Sequence, residues 1–67
     1  MELSKIIETL RKMEKYAYDC SESMKKDREY ALARQFSGEA LALSNVIYML
    51  TDDEYAANMA EIYCKEV

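Results

Sequence analysis

Apolar residues recur at alternating steps of three and four along the first third of the chain. They are Leu3, Ile6, Leu10, Met13, Ala17, Cys20 and Met24. This spacing puts about one side chain per turn on a single helix face, as in a helix packed lengthwise against a partner. The pattern predicts a first helix over residues 2–24. Charge pairs spaced i,i+4, Glu8 with Lys12 and Glu22 with Lys26, are expected to stabilise its outer surface.

The stretch that follows is apolar on more than one side. At steps of three and four, one row along this stretch contains Ala33, Phe36, Ala40, Leu43, Ile47 and Leu50. A second row beside it contains Leu32, Gln35, Glu39, Ala42, Val46 and Met49. Leu41 and Tyr48 add apolar surface on a further side. A helix that is apolar nearly all round is normally a buried helix. We therefore predict a second helix over residues 28–50 with neighbours on at least two sides, supplied by the rest of the chain or by a second chain.

The only glycine of the sequence, Gly38, lies inside this second helix. A glycine within a helix costs roughly 1 kcal/mol relative to alanine, so it often marks a place where another backbone comes close. Gly38 followed by Ala42 would permit such an approach. Chance retention of a tolerated glycine is the alternative, and the sequence does not choose between them.

The break between these helices is predicted near residues 25–27. The apolar period loses phase between Met24 and Ala33, and Asp27 is an acceptable N-cap for the second helix. The segment has no glycine or proline, so one continuous helix stays open as an alternative. A short connection would make the two helices antiparallel neighbours.

Residues 51–54 have the pattern of a capping box, which opens a helix. In that motif the Thr51 hydroxyl accepts from the backbone amide of Glu54, whose carboxylate reaches back. We predict a third helix over residues 52–65, with acidic residues in its first turn, where the helix dipole favours negative charge. This helix would fold back over the second row or reach across to another subunit.

Composition agrees with an all-α fold of limited size. The chain has 67 residues, no proline and 51% hydrophobic residues, which excludes a disordered segment. Domains this small usually need disulfides, a metal, oligomerisation or very regular helix packing. The predicted architecture is therefore one domain, an antiparallel helical hairpin plus a short third helix, that assembles with itself as a homodimer or higher oligomer into a helical bundle.

Charge is unevenly distributed along the predicted hairpin. Basic residues lie at its loop, whereas residues 52–54 and Glu2 make the opposite end acidic. Two such hairpins side by side in opposite directions would place the basic end of each against the acidic end of the other, which favours a two-fold dimer. The net charge of −4 speaks against nucleic acid as a partner.

Several chemistries are excluded by residue type. There is no histidine, so a Ser-His-Asp arrangement and histidine-containing zinc sites are ruled out. Cys20 and Cys64 are interpreted as small hydrophobes in a reduced cytoplasm, with a link between them as the minority alternative. No secretory signal is recognisable, and the longest uncharged run, residues 40–51, is far short of the roughly 20 residues that span a bilayer. We predict a cytoplasmic protein with no membrane partner, no cofactor, no metal and no catalytic residue.

A carboxylate-dependent metal or nucleotide hydrolase is a weaker alternative. It would use the i,i+3 pair Asp19 and Glu22, or Glu39, because such spacings aim two carboxylates at one ion. A solvated face explains the pair more simply. Glu39 lies in the apolar second row, where we expect a structural ion pair with Arg34, Arg11 or a partner's lysine.

Binding is the favoured mode of action. Tyrosine and methionine give adaptable apolar contact at interfaces. The predicted interface residues are Leu32, Gly38, Leu41, Ala42, Val46, Tyr48, Met49, Tyr55 and Met59. If the ligand is instead a cyclic nucleotide sequestered by an oligomer, the predicted contacts are Lys25, Lys26, Arg28 and Tyr30.

The chain resembles, in pattern, a class of small accessory proteins encoded by bacteriophages and prophages. The resemblance covers about residues 1–50 and depends on a short, acidic, histidine-free hairpin with the segment SGEALALSNVIYML. Such proteins include inhibitors of host defence, which block a host protein or sequester cyclic nucleotide signals. The resemblance implies an inhibitor that binds a host protein, and it transfers no individual site.

Overall fold

A computed structural model describes residues 1–64 as three helices. They are α1 (Leu3–Lys26), α2 (Tyr30–Thr51) and α3 (Asp53–Tyr63). Residues 1–64 contain no strand, which confirms the all-α prediction. α1 and α2 pack along each other as an antiparallel hairpin, whereas α3 packs on α2 and, in the described range, not on α1.

The helix bounds differ from the predicted ones by one or two residues. α1 runs to Lys26 instead of residue 24, and α2 begins at Tyr30 instead of residue 28 and ends at Thr51. α3 ends at Tyr63 with Cys64 as its C-cap, whereas the predicted end was Lys65. Lys65 itself lies outside the described residues.

The turn between α1 and α2 is closed by backbone hydrogen bonds. The N–H groups of Arg28 and Glu29 donate to the carbonyls of Lys25 and Met24 at 3.1 and 2.8 Å. This is a Schellman motif, and its left-handed position is occupied by Arg28, with φ of 61°. The helix is thus interrupted, and Asp27 is the C-cap of α1. The prediction that Asp27 caps α2 was wrong, because the left-handed residue follows it and delays the second helix.

The start of α3 also differs from its predicted cap. The N-cap is Asp52, whose Oδ1 accepts from the Tyr55 N–H at 3.0 Å. Thr51 is still the last residue of α2, and its hydroxyl donates to the Ile47 carbonyl at 2.8 Å. The predicted capping box of Thr51 with Glu54 was therefore wrong by one position, because the Thr51 hydroxyl bonds back into its own helix.

The core of the hairpin consists mainly of small side chains. Ala17, Ser21, Ala33 and Ile47 are the buried residues of the described range. The Ser21 hydroxyl donates to the Ala33 carbonyl at 2.9 Å and lies 2.6 Å from the Ser37 hydroxyl. These bonds satisfy the hydroxyl that the close approach of α1 and α2 buries.

Within residues 1–64, α2 is not a buried helix. Val46 and Met49, in its second apolar row, are 44% and 45% exposed, and Ala42 is exposed as well. The prediction of neighbours on two sides is met only at the C-terminal end of α2, where α3 packs. Cover by a second chain stays a prediction.

Surface ion pairs follow the helix periodicity. Lys12 Nζ lies 3.3 Å from Glu8 Oε1, which confirms that pair. Glu22 pairs with Lys25 at 3.6 Å and not with Lys26 as predicted. Because these side chains are exposed, each pair contributes little to stability.

Candidate binding surfaces

The first candidate surface is a groove of about 550 Å³ along one flank of the hairpin. Its walls and floor come from both long helices: Glu14, Lys15 and Tyr18 of α1, and Ser37, Ala40, Leu41 and Ser44 of α2. We call it the tyrosine groove. The α2 residues are spaced by three or four, so the helix period brings them to one flank.

Small and large side chains have different places in the tyrosine groove. Ser37, Ala40 and Ser44 are small enough to leave a depression beside the helix crossing. Leu41 and Tyr18 stand at its sides with 64% and 58% of their surfaces exposed. An exposed leucine and an exposed tyrosine in one depression are apolar area that no other part of residues 1–64 covers.

The second candidate surface is the corner between α2 and α3. This corner groove measures about 360 Å³ and is lined by Asn45, Val46 and Met49 of α2 and by Tyr55, Met59, Ala60, Tyr63 and Cys64 of α3. The Tyr55 hydroxyl donates to Asn45 Oδ1 at 3.3 Å. Its ring lies 5.5 Å from that of Tyr48, centroid to centroid. Tyr55 therefore links α3 to α2 through both Asn45 and Tyr48.

A third groove, of about 340 Å³, lies on the flank opposite the tyrosine groove. It contains Tyr16, Lys12 and Glu39 among its lining residues. Glu39 is exposed and takes part in no ion pair within residues 1–64. Within residues 1–64, Glu39 is therefore neither buried nor paired with Arg34 or Arg11, because its flank of α2 faces solvent. A pair with a partner's lysine stays a prediction.

Tyr16, in the third groove, has a shifted pKa. Its hydrogen bond with the Cys20 side chain, one turn further along α1, is the main cause, and the charge of the Cys20 thiolate adds to it. Both raise the pKa of Tyr16 above its ordinary value. Cys20 and Cys64 are free thiols.

The predicted interface residues divide among these surfaces. The corner groove brings together Val46, Met49, Tyr55 and Met59, and Tyr48 packs against Tyr55. Leu41 lies in the tyrosine groove, and Leu32 lies on the flank of the third groove. Gly38 and Ala42 lie on the side of α2 that is turned away from α1. Sequence reasoning did not single out Ser37, Ser44 or Glu14. Each lies three or four residues from Leu41 or Tyr18, so helical spacing places it on the same flank. Polar side chains are absent from an apolar pattern, however, and a search for apolar rows does not find them.

The residues predicted to contact a nucleotide lie around the hairpin turn. Lys25, Lys26, Arg28 and Tyr30 are all exposed, and none of them lines the three grooves. Lys25 is engaged by Glu22. A nucleotide site at the turn stays a prediction.

The carboxylates of the hydrolase alternative are separated. Asp19 Oδ2 accepts from Lys15 Nζ at 2.9 Å, Glu22 pairs with Lys25, and Glu39 lies on α2. In the described part of the chain, no three cysteine, aspartate or glutamate side chains are grouped as they would be around a metal ion.

The chain matches no protein-family model, no curated protein and no solved structure. Within residues 1–64, no helix combines the length and the apolar character needed to cross a membrane.

Proposed function

We propose that this protein acts by binding another protein through the tyrosine groove, without catalysing a reaction. The observation that carries the proposal is the pairing of Leu41 and Tyr18, both more than half exposed, in one depression of the hairpin. Tyrosine is enriched among the residues that dominate binding energy at protein interfaces, and the exposed leucine beside it adds apolar area to be buried on binding.

The dimensions and chemistry of the groove suit a helical segment of the partner. A volume of about 550 Å³ is enough for two or three apolar side chains. Amphipathic helices present such side chains at i, i+3 and i+4, which suits a groove running along two helices. The hydroxyls of Ser37 and Ser44 and the charges of Glu14 and Lys15 lie at the same site and would set the register of the bound segment.

A mode of action without catalysis is supported by the groups at hand. The sequence has no histidine, and the tyrosine groove offers one carboxylate, one ammonium group and hydroxyls. The ammonium group of Lys15 is already paired with Asp19. The resemblance to phage-encoded accessory proteins supports a host protein as the partner, with inhibition as the result of binding.

A selection of displayed peptides tests the proposal. The wild-type protein serves as the only bait, and no variant is used during the selection. We expect peptides with apolar residues at helical spacing. Their affinity for the Leu41→Glu variant, measured by calorimetry, should be lower than for the wild type by roughly tenfold or more, which is about 1.4 kcal/mol of binding free energy. Chemical shift changes on binding should centre on Tyr18, Leu41 and Ser44.

Leu32→Glu is the matched control variant. Leu32 is also an exposed leucine of α2, and nine residues of a helix separate it from Leu41, which places it on the opposite flank. It should leave peptide affinity unchanged. Equal losses with both variants, or shift changes confined to another surface, would contradict the proposal.

A further inference from the structure

We infer that a second copy of this chain covers the side of α2 turned away from α1, together with the corner groove, in an antiparallel two-fold dimer. The outward face of α2 is defined here by Gly38, Ala42, Asn45, Val46 and Met49. Its last three members also line the corner groove, so the two form one surface.

The first support is the amount of surface that the single chain leaves exposed. A compact protein of 7.8 kDa has an accessible surface of about 4,400 Å², whereas this chain has 5597 Å². Its radius of gyration is 14.7 Å, against about 11 Å for a compact chain of this length. The excess of about 1,200 Å² exceeds the roughly 800 Å² that each partner buries in a standard interface.

The second support is the shape of the outward face. A Cβ atom at Gly38 would meet nothing within 4 Å, so the single chain does not require glycine there. Gly38 and Ala42 are one turn apart, and together they let a second helix approach the backbone of α2 closely. Val46 and Met49 then supply apolar contact on the same side, continuous with Met59 of α3.

The third support is the charge at the two ends of the hairpin. Residues 22–34, at the turn, contain four basic and three acidic side chains. Residues 2–8 and 52–61, at the other end, contain one lysine and six carboxylates. An antiparallel pair places each weakly basic end against an acidic one, which favours this orientation over a parallel pair.

These features fix the register of the two copies. We place the two-fold axis of the dimer at Ala42. Two antiparallel α2 helices then pair residues that are the same number of positions before and after Ala42 in the sequence, so Arg34 of one copy lies opposite residue 50 of the other. That position is less than one turn before the acidic residues that start α3. The first half of each α2, where Ala31 and Gly38 leave room, enters the corner groove of the other copy. Both copies thus use the same patch, as a closed two-fold interface requires.

The solution mass over a range of concentrations tests the inference. We expect a mass about twice that of the 7.8 kDa chain, by light scattering or equilibrium sedimentation. Gly38→Leu fits the single chain but blocks the second backbone, so it should weaken the dimer by roughly tenfold or more. Val46→Glu should do the same, and circular dichroism checks that both variants stay helical.

Leu41→Glu is the matched control, because it places a carboxylate on the same helix but in the tyrosine groove. It should leave the dimer intact while lowering peptide affinity by roughly tenfold or more, so failure of this inference and failure of the proposed function are distinguishable. A monomer at every concentration, a larger assembly, or a dimer indifferent to Gly38→Leu and Val46→Glu would each overturn the inference.

Cross-linking tests the register independently. With both native cysteines replaced by alanine, Ala42→Cys should form a disulfide between two copies, because its Cα lies nearest the axis. Ser23→Cys, exposed on α1, should not. The reverse pattern would overturn the antiparallel arrangement about Ala42.

Discussion

The Ser21 hydroxyl lies 2.6 Å from the Ser37 hydroxyl and donates to the Ala33 carbonyl at 2.9 Å. Because Ser21 uses its hydrogen for Ala33, Ser37 is the donor in the contact between the two hydroxyls. One buried side chain of α1 is thus bonded to two successive turns of α2. These bonds fix the register of the hairpin and hold Ser37 at the floor of the tyrosine groove.

Replacement of Ser21 by alanine should therefore lower the free energy of unfolding. We expect a loss of about 1 kcal/mol, the net value of a buried side-chain hydrogen bond, with the Ser37 hydroxyl left to water. Urea denaturation followed by circular dichroism measures it. Ser23→Ala, at an exposed position of the same helix, is the control and should change stability little; an equal effect of both variants would mean that the Ser21 bonds contribute nothing.

Arg28 occupies a backbone conformation that glycine adopts more easily. Its φ of 61° lies in the left-handed region, which costs other residues roughly 1–2 kcal/mol. Arg28→Gly should raise the free energy of unfolding by about 1 kcal/mol, because the strain is relieved while the two backbone bonds of the turn remain. Thermal and urea denaturation should agree on the sign.

The matched control is Arg34→Gly, at an exposed position inside α2. Glycine there should destabilise by about 1 kcal/mol, since it lowers helix propensity without relieving strain. Opposite signs for the two variants are the expected result. Destabilisation by both would show that Arg28 contributes more through its side chain than its backbone conformation costs.

The hairpin itself could be predicted from the sequence because apolar residues at helical spacing identify the face of each helix that packs against the other. Ala17, Ala33 and Ile47 belong to the predicted seams and are buried. Ser21 was missed because a serine interrupts the apolar pattern that identifies a seam. Its role depends on a carbonyl twelve residues away, which a local pattern does not report.

The ends of the helices were less predictable, for a different reason. The turn uses Arg28 in a position where glycine is the usual signal, so no residue type marked it. Thr51 and Asp52 are both good N-caps, and the choice between them is decided by where α2 stops. The exposure of Glu39 and Val46 depends on what lies beside α2, which the pattern of α2 alone does not specify.

Asp52 both follows α2 and caps α3, so its side chain determines how α3 begins. Asp52→Ala removes the acceptor for the Tyr55 N–H and should destabilise the first turn of α3 by about 1 kcal/mol. Amide hydrogen exchange should quicken in α3 and remain unchanged at the centres of α1 and α2. Asp52→Asn, which keeps an acceptor, should restore protection; a uniform change along the chain would contradict a local cap.

The raised pKa of Tyr16 predicts a pH dependence at the alkaline end. Its hydrogen bond with the Cys20 side chain and then the charge of the thiolate favour the neutral phenol in the folded state. Above the ordinary pKa near 10, the folded chain therefore binds more protons at this site than the unfolded chain. The contribution of Tyr16 to stability is fully present below that pH and is lost as the pH rises through the raised pKa.

Absorbance of tyrosinate measures the shift, taken as the difference between the wild type and Tyr16→Phe. The difference titration should have its midpoint above 10, and Cys20→Ala should lower the midpoint towards the ordinary value because both main causes are removed. Tyr18→Phe, two residues along and exposed, is the control for the loss of a single tyrosine. A midpoint that Cys20→Ala leaves unchanged would assign the shift to another neighbour, such as the carboxylate of Glu39, which lines the same groove.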